Sequence, residues 1–167
     1  MILLRFIDKF FPPNIAYAHC DVPCGIYDPH QAQMAAHTVL RMTDMIDELQ
    51  ASSPEPAFEE RKRIISQIAR LTKVKEEHAE LVKHEIRVIW GDYLKDEHIK
   101  KHKTIHQLVF SIMKQASIAR QNVDIKAANE LLGMVQKFAE IFWETKGRKT
   151  QNIKSGYPTE GELILPQ

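Results

Sequence analysis

Apolar residues recur three or four positions apart through most of this chain, the spacing of helices that bury one face. Ala32, Ala35, Val39, Met42, Ile46 and Leu49 make the first such face. Asp28-Pro29 stands before it, with Asp as N-cap and Pro at the first helical position. The Ser52-Ser53-Pro54-Glu55-Pro56 stretch interrupts the pattern. A second, longer helix is predicted from about 57 to about 94. Its seam runs Ile64, Ile68, Leu71, Lys75, His78, Val82, Glu85, Ile89, in alternating steps of four and three. Three of those residues are polar. Either long side chains run along the seam and reach water at its edge, or His78 or Glu85 faces a site inside the bundle.

A third helix follows through Ile105, Leu108, Val109, Ile112, Met113, Ala116 and Ala119. The fourth is capped by Asp124 and carries Ala128, Leu131, Val135, Phe138 and Phe142, until Gly147 stops it beside Lys146, Arg148 and Lys149. Four helices with short breaks predict an all-α, antiparallel up-down four-helix bundle. The tail 148–167, with Gly156, Pro158, Gly161 and Pro166 around Leu163-Ile164-Leu165, reads as irregular and able to dock on its own or a neighbouring subunit.

The first eighteen residues are a different object. Ile2, Leu3, Phe6, Ile7 and Phe10 fall at helical spacing until Pro12-Pro13, and Ala16-Tyr17-Ala18 resembles a small-x-small cleavage site. Asp8 and Lys9 interrupt the apolar region, so it makes a poor export signal. We expect a leader removed by proteolysis, which gives a peptidase as partner, over a secretory signal or a retained amphipathic arm. Beyond it the basic and acidic residues balance, starting from 23 and 22 in the whole chain. That argues against nucleic acid as a partner. No apolar run approaches the ~20 residues of a membrane span, so stable insertion is not expected. Two cysteines are too few for a secreted disulfide framework. Thiols kept available point to a reducing compartment, the cytoplasm.

Both cysteines lie in His19-Cys20-Asp21-Val22-Pro23-Cys24-Gly25-Ile26-Tyr27, directly after the Ala18-His19 bond. Cleavage there would free an α-amine at His19. The amine, the Cys20 backbone nitrogen and the Cys20 thiolate could then chelate one ion, with Cys24 closing the fourth corner and the His19 imidazole beside the plane. Two thiolates and two nitrogens in a plane suit nickel(II) or copper(II), whereas zinc prefers a tetrahedron. Such donors lower the potential of nickel(III) formation. By spacing alone, however, a Cys-x-x-x-Cys pair is often incidental.

The whole stretch through Asp28-Pro29 resembles the metal hook of the nickel superoxide dismutase family, which reads His-Cys-Asp-x-Pro-Cys-Gly-x-Tyr-Asp-Pro. The resemblance continues through Lys83-His84, Val88-Ile89-Trp90-Gly91-Asp92-Tyr93-Leu94-Lys95, His106-Gln107-Leu108-Val109 and Ile141-Phe142-Trp143-Glu144-Thr145-Lys146. It implies an oxidoreductase that converts superoxide to dioxygen and hydrogen peroxide by cycling nickel(II) and nickel(III), with one nickel per subunit. His19, Cys20 and Cys24 would be the metal ligands. Tyr27 and Asp21 would line the access side, and Pro23 would shape the turn. It also implies a homohexamer and a precursor trimmed to expose His19. The chain then divides into a leader at 1–18, a bundle at 19–147 with its hook at 19–27, and the tail.

The resemblance carries one departure. A glutamate sixteen residues after the hook histidine, joined to an arginine on the second helix, orients the imidazole in much of the family. Ala35 and His78 stand at those positions here. Partners of a metal-bound imidazole set its orientation and basicity, typically at ~10–100-fold in affinity or activity. His78 is thus a candidate neighbour of the metal ligands. His98, His102 and His106 recur every four residues among lysines and read as a solvated basic face, since neighbouring cations oppose binding another. His30 and His37 read as surface residues of the first helix. Two rival functions use the same loop: a nickel or copper carrier without turnover, and an interaction protein whose thiols form a regulatory disulfide.

Overall fold

The computed structural model describes residues 25–167. Helix α1 spans His30–Asp47 and α2 spans Phe58–Val88, continued by a π-helical turn at Ile89–Tyr93. A short α3, Asp96–Lys101, leads to α4, Ile105–Gln121, and α5, Ile125–Thr145. Strands β1, Thr150–Lys154, and β2, Glu162–Pro166, complete the order. α1 packs on α2, α2 on α4, α4 on α5 and α5 on α1, which closes a four-helix ring. The side-chain contacts Lys75 to Ala119 and Trp90 to His106 fix α2 and α4 as antiparallel.

The predicted faces form the core. Ala32, Ala35 and Val39 of α1 are buried with Val82 and Ile86 of α2, Ile112 and Ala116 of α4, and Leu131, Val135 and Phe138 of α5. α1 begins one residue later than expected, with Pro29 in the cap position, and Asp28 Oδ1 accepts the His30 N–H at 2.7 Å just before it. Asp124 caps α5 as expected, its Oδ1 accepting the Ala127 N–H at 3.0 Å. Gly147 takes φ +70° just past α5, the left-handed conformation that ends helices without a Cβ penalty.

The long seam of α2 holds only in its second half. Val82 and Ile89 are buried, while Ile68 is 38% exposed and no residue from Phe58 to Val74 is buried. Lys75 does not reach water at the edge of the seam as expected. It is buried, and its ammonium donates to the carbonyls of Ala119 and Asn122 at the end of α4. It supplies the donors that the last turn of a helix lacks.

The tail contains more order than its glycines and prolines predict. β1 and β2 pair antiparallel, Asn152 opposite Ile164. The Gln167 N–H bonds the Lys149 carbonyl and the Ser155 N–H bonds the Gly161 carbonyl. Strict alternation then turns the Ile164 N–H and C=O away from β1. Gln33 of α1 meets both: its Nε2 donates to the Ile164 carbonyl at 3.0 Å and its Oε1 accepts the Ile164 N–H at 2.8 Å. The Glu162 carbonyl, on the same edge, accepts from His37 Nε2 at 3.1 Å and Gln136 Nε2 at 2.7 Å. Pro166 has no N–H to leave open on that edge. The tail therefore docks on its own subunit, through side chains that take the place of a third strand.

Candidate metal centre

The helix start at Asp28-Pro29 lies between two cavities. Gly25, Tyr27, Asp92, Tyr93, Lys95, Glu97 and His98 line one of about 360 Å³. His30, Gln31, Met34, Ala35, Thr38, His78 and Leu81 line the other, also of about 360 Å³. Of the expected site residues, Tyr27 therefore borders the first and His78 the second. His19, Cys20, Asp21, Pro23 and Cys24 lie outside the described residues.

The first cavity is walled by a stack of rings. Tyr27 meets Tyr93 at 5.5 Å between centroids, and Tyr93 lies against His98 at 5.3 Å and Phe142 at 5.0 Å. Lys146 places its ammonium 4.6 Å from the Tyr93 centroid, a cation–π contact. The Tyr93 hydroxyl is hydrogen-bonded to Thr145 Oγ1 at 2.8 Å, and Thr145 Oγ1 donates to the Phe142 carbonyl at 2.6 Å. Tyr93 is thus fixed from three sides, and its ring gives Tyr27 a rigid neighbour. Tyr93 was not expected at the site and stood only within the Val88–Lys95 block of the family resemblance. The π turn that aims it leaves no residue signature beyond a helical pattern that runs on.

In the second cavity His78 donates through Nδ1 to the Val74 carbonyl at 2.8 Å. A neutral ring so bonded keeps a lone pair on Nε2. The Thr38 hydroxyl donates to the Met34 carbonyl. Ala35, 1% exposed, contributes only a methyl group. His30 Nδ1 is buried with no hydrogen-bond partner among the described residues.

Two histidine expectations change. His98, His102 and His106 do not share a helix face, because α3 ends at Lys101 and α4 begins at Ile105. His98 Nδ1 accepts the Lys95 N–H, and His106 Nδ1 accepts the Trp90 indole N–H. His98 and His102 are thus half-buried with local structural roles, while His106 stays exposed beside Trp90. His37 is buried, not superficial; its Nε2–H bonds Glu162, and its Nδ1 accepts from Thr159 Oγ1 at 2.8 Å.

Among the described residues no cluster of three or more His, Cys, Asp or Glu side chains is placed to hold a metal. In sequence the helix start nevertheless follows directly on the Cys20–Cys24 motif, and a sequence profile described as nickel-containing superoxide dismutase matches residues 14–146. The chain belongs to that family. The Streptomyces coelicolor protein named superoxide dismutase [Ni] is 36% identical over 141 residues, 84% of this chain and 98% of that protein. Its Streptomyces seoulensis counterpart is 35% identical with the same coverage. A native nickel superoxide dismutase structure is similar with a TM-score of 0.65, at 35% identity, over 77% of this chain and 99% of that one. A structure of the enzyme with oxidised-state nickel ligation also gives 0.65, at 32% identity.

Membership in the nickel superoxide dismutase family makes the chain an oxidoreductase with nickel-dependent superoxide dismutase activity, and implies a nickel cofactor. The all-α bundle agrees with that assignment. The matched segment includes the whole hook sequence and stops at Lys146, so the β1–β2 ribbon lies beyond it. No helix among the described residues is long and apolar enough to cross a membrane.

Proposed function

We propose that His19, Cys20 and Cys24 hold one nickel ion per subunit after cleavage of the Ala18-His19 bond. The donor set would suit nickel: an amine, a backbone nitrogen and two thiolates are ligands that nickel(II) accepts. Bound nickel supplies one-electron cycling between its divalent and trivalent states. The chain's own residues do the rest. Pro23 shapes the turn that brings Cys24 back. Asp21 and Tyr27 line the approach, where the Tyr27 hydroxyl orients water or the superoxide anion and passes protons toward the departing peroxide. Tyr93 holds Tyr27 in place from behind. His78 borders the site on the α2 side.

What supports this reading most is the position of Tyr27. It is the described end of the hook sequence, and it opens onto a cavity of about 360 Å³ beside Tyr93. The walls of that cavity are mixed in sign, Lys95 against Asp92 and Glu97. Steering of the anion therefore falls to cations set further back, including Lys146 over Tyr93.

The division into a leader at 1–18, a hooked bundle at 19–147 and a tail at 148–167 belongs to the same proposal. So do a leader-cleaving peptidase, a homohexameric assembly and a cytoplasmic location. The test is metal analysis, intact mass and a superoxide assay on the same protein before and after leader removal. Nickel at one per subunit and activity only in the cleaved form are expected. Cys20→Ser and Cys24→Ser should each abolish both, and His78→Ala should lower turnover less than either. Full activity from uncut or metal-free protein would sink the hook mechanism.

A further inference from the structure

We propose that the first half of α2, with the end of α1 beside it, docks on the same surface of a second copy of this chain, the two pairing antiparallel into an intermolecular four-helix bundle. α2 turns a continuous stripe to the core: Ile89, Ile86, Val82, Ala79 and Lys75 follow in steps of three and four, and all are buried. The same steps continue toward the N-terminus through Thr72, Ile68, Ile65, Arg61 and Phe58 without a break. There the cover ends. Ile68 is 38% exposed, Ile65 66% and Phe58 65%.

The cause is the length of the neighbouring helices. The Lys75 ammonium meets the Ala119 and Asn122 carbonyls at the end of α4. From Ile125, α5 turns back along α4, its Ala127 carbonyl accepting from Gln115. From Lys75 back to Phe58, α2 therefore projects about 25 Å past both, at 1.5 Å per residue. Among the described residues only α1 accompanies it. The buried Ala36, Val39 and Thr43 of α1 lead in the same steps to Ile46, which is half-buried. The Ser52 N–H and hydroxyl donate to the Glu60 carboxylate at 2.8 and 2.6 Å and tie the connection to α2. The projection is a two-helix hairpin, and its stripe is one that two further helices cover in the rest of the bundle.

Charge selects the occupant. The tip, residues 45–60, holds Asp47, Glu48, Glu55, Glu59 and Glu60 and no Lys or Arg. The shaft, residues 61–74, holds Arg61, Lys62, Arg63, Arg70 and Lys73 and no Asp or Glu. A surface acidic at one end and basic at the other complements itself across a two-fold axis. With that axis at Ile65, Phe58 of one copy lies level with Thr72 of the other, and Glu59 comes within a turn of Arg70 and Lys73. Parallel pairing would set like charges together. The contact uses no hook residue and does not depend on the homohexamer proposed above.

The test is a charge swap in the full chain, read by sedimentation velocity over a series of micromolar concentrations. Wild type should sediment as an even-numbered assembly. The double variant Glu55→Lys, Glu59→Lys makes the tip more basic, and Arg70→Glu, Lys73→Glu makes the shaft more acidic. All four side chains are exposed, so neither variant touches the core. Each variant alone should need a concentration at least about 100-fold higher to associate to the wild-type extent. Mixed in equal amounts they should regain the wild-type assembly, because each acidic end then meets a basic one. Ile65→Glu, on the stripe itself, should lose association to the same extent, and it carries the test if circular dichroism shows a swap variant unfolded. Wild-type association in the swap variants overturns the proposal and leaves a hooked homohexamer, held by other surfaces, in place. A mixture of folded variants that regains nothing overturns it too. So does a wild type that stays single, whether free or pelleted with phosphatidylglycerol vesicles.

Discussion

Replacing Gln33 by Met should release the C-terminal ribbon while leaving the bundle folded. Gln33 is fully buried and bonds both backbone groups of Ile164, itself 2% exposed. Methionine keeps the length and most of the volume of glutamine, so the cavity cost is small. What is lost is the pairing: one N–H and one C=O remain inside without partners, at about 1–3 kcal/mol each, or roughly 2–6 kcal/mol together. Against that stands the burial of Leu163 and Ile164, worth about 1.5–3 kcal/mol each. The penalty and the docking gain are of the same size. The ribbon should therefore open locally rather than draw the four helices into unfolding. Amide hydrogen exchange reads this directly. A loss of about 2 kcal/mol or more raises exchange of the β2 amides at least roughly 30-fold, with α2 and α4 amides unchanged. Protection of Ile164 within about threefold of wild type would refute the claim that the Gln33 amide replaces a neighbouring strand.

The same ribbon should loosen in acid. Burial pushes the His37 pKa down, opposed by its bond to the Glu162 carbonyl, and the ring shares its surroundings with Arg41, Tyr157 and Thr159. The undocked ring takes up a proton first, so docking is complete above the ordinary value of about 6.5 and weakens as pH falls from there through the lowered value. Limited proteolysis of the 155–161 turn across that range should show cleavage increasing toward acid, and in His37→Gln the pH dependence should vanish. Lys75→Met removes the donor to Ala119 and Asn122 and should cost about 1–3 kcal/mol in urea unfolding. No loss would mean that relief from burying an ammonium offsets the bonds. Asp124→Ala should cost about 1 kcal/mol by the same measurement, and Asp124→Asn much less, because either side chain can accept the Ala127 N–H.

The helices were legible because their buried faces repeat. Val82, Ile112, Leu131 and Phe138 each fall where the spacing puts them, and Asp28 and Asp124 mark helix starts by chemistry that acts over two or three residues. The seam of α2 was less so. Periodicity assigns residues to a stripe but does not say how far the neighbouring helices reach, and Ile68 stays partly exposed for that reason. Lys75 and His37 were misjudged because their partners are backbone carbonyls on other elements, which no residue type announces. Likewise the ribbon depends on Gln33 and Gln136 reaching an edge more than twenty residues away in sequence. At Gly161, a Cβ would meet the His37 ring at 2.5 Å, so that glycine serves a contact rather than the loose turn its type suggests. The family was legible in the motif at 19–29, which the matched profile spans.

The π turn at Ile89–Tyr93 separates what keeps the chain folded from what shapes its mouth. Such a turn forms where a helix holds one residue more than its ladder would take at α spacing, here closed by the Leu94 N–H on the Ile89 carbonyl. Deleting a single residue inside it would let the ladder close at α spacing and re-aim the side chains of the turn itself. Val82 and Ile86 lie upstream of it and keep their packing. Tyr93 would leave Tyr27, and the cavity wall would go with it. A length change of one residue is thus consequential for the mouth of this cavity. Insertions and deletions, more than substitutions, are what this end of the bundle cannot absorb.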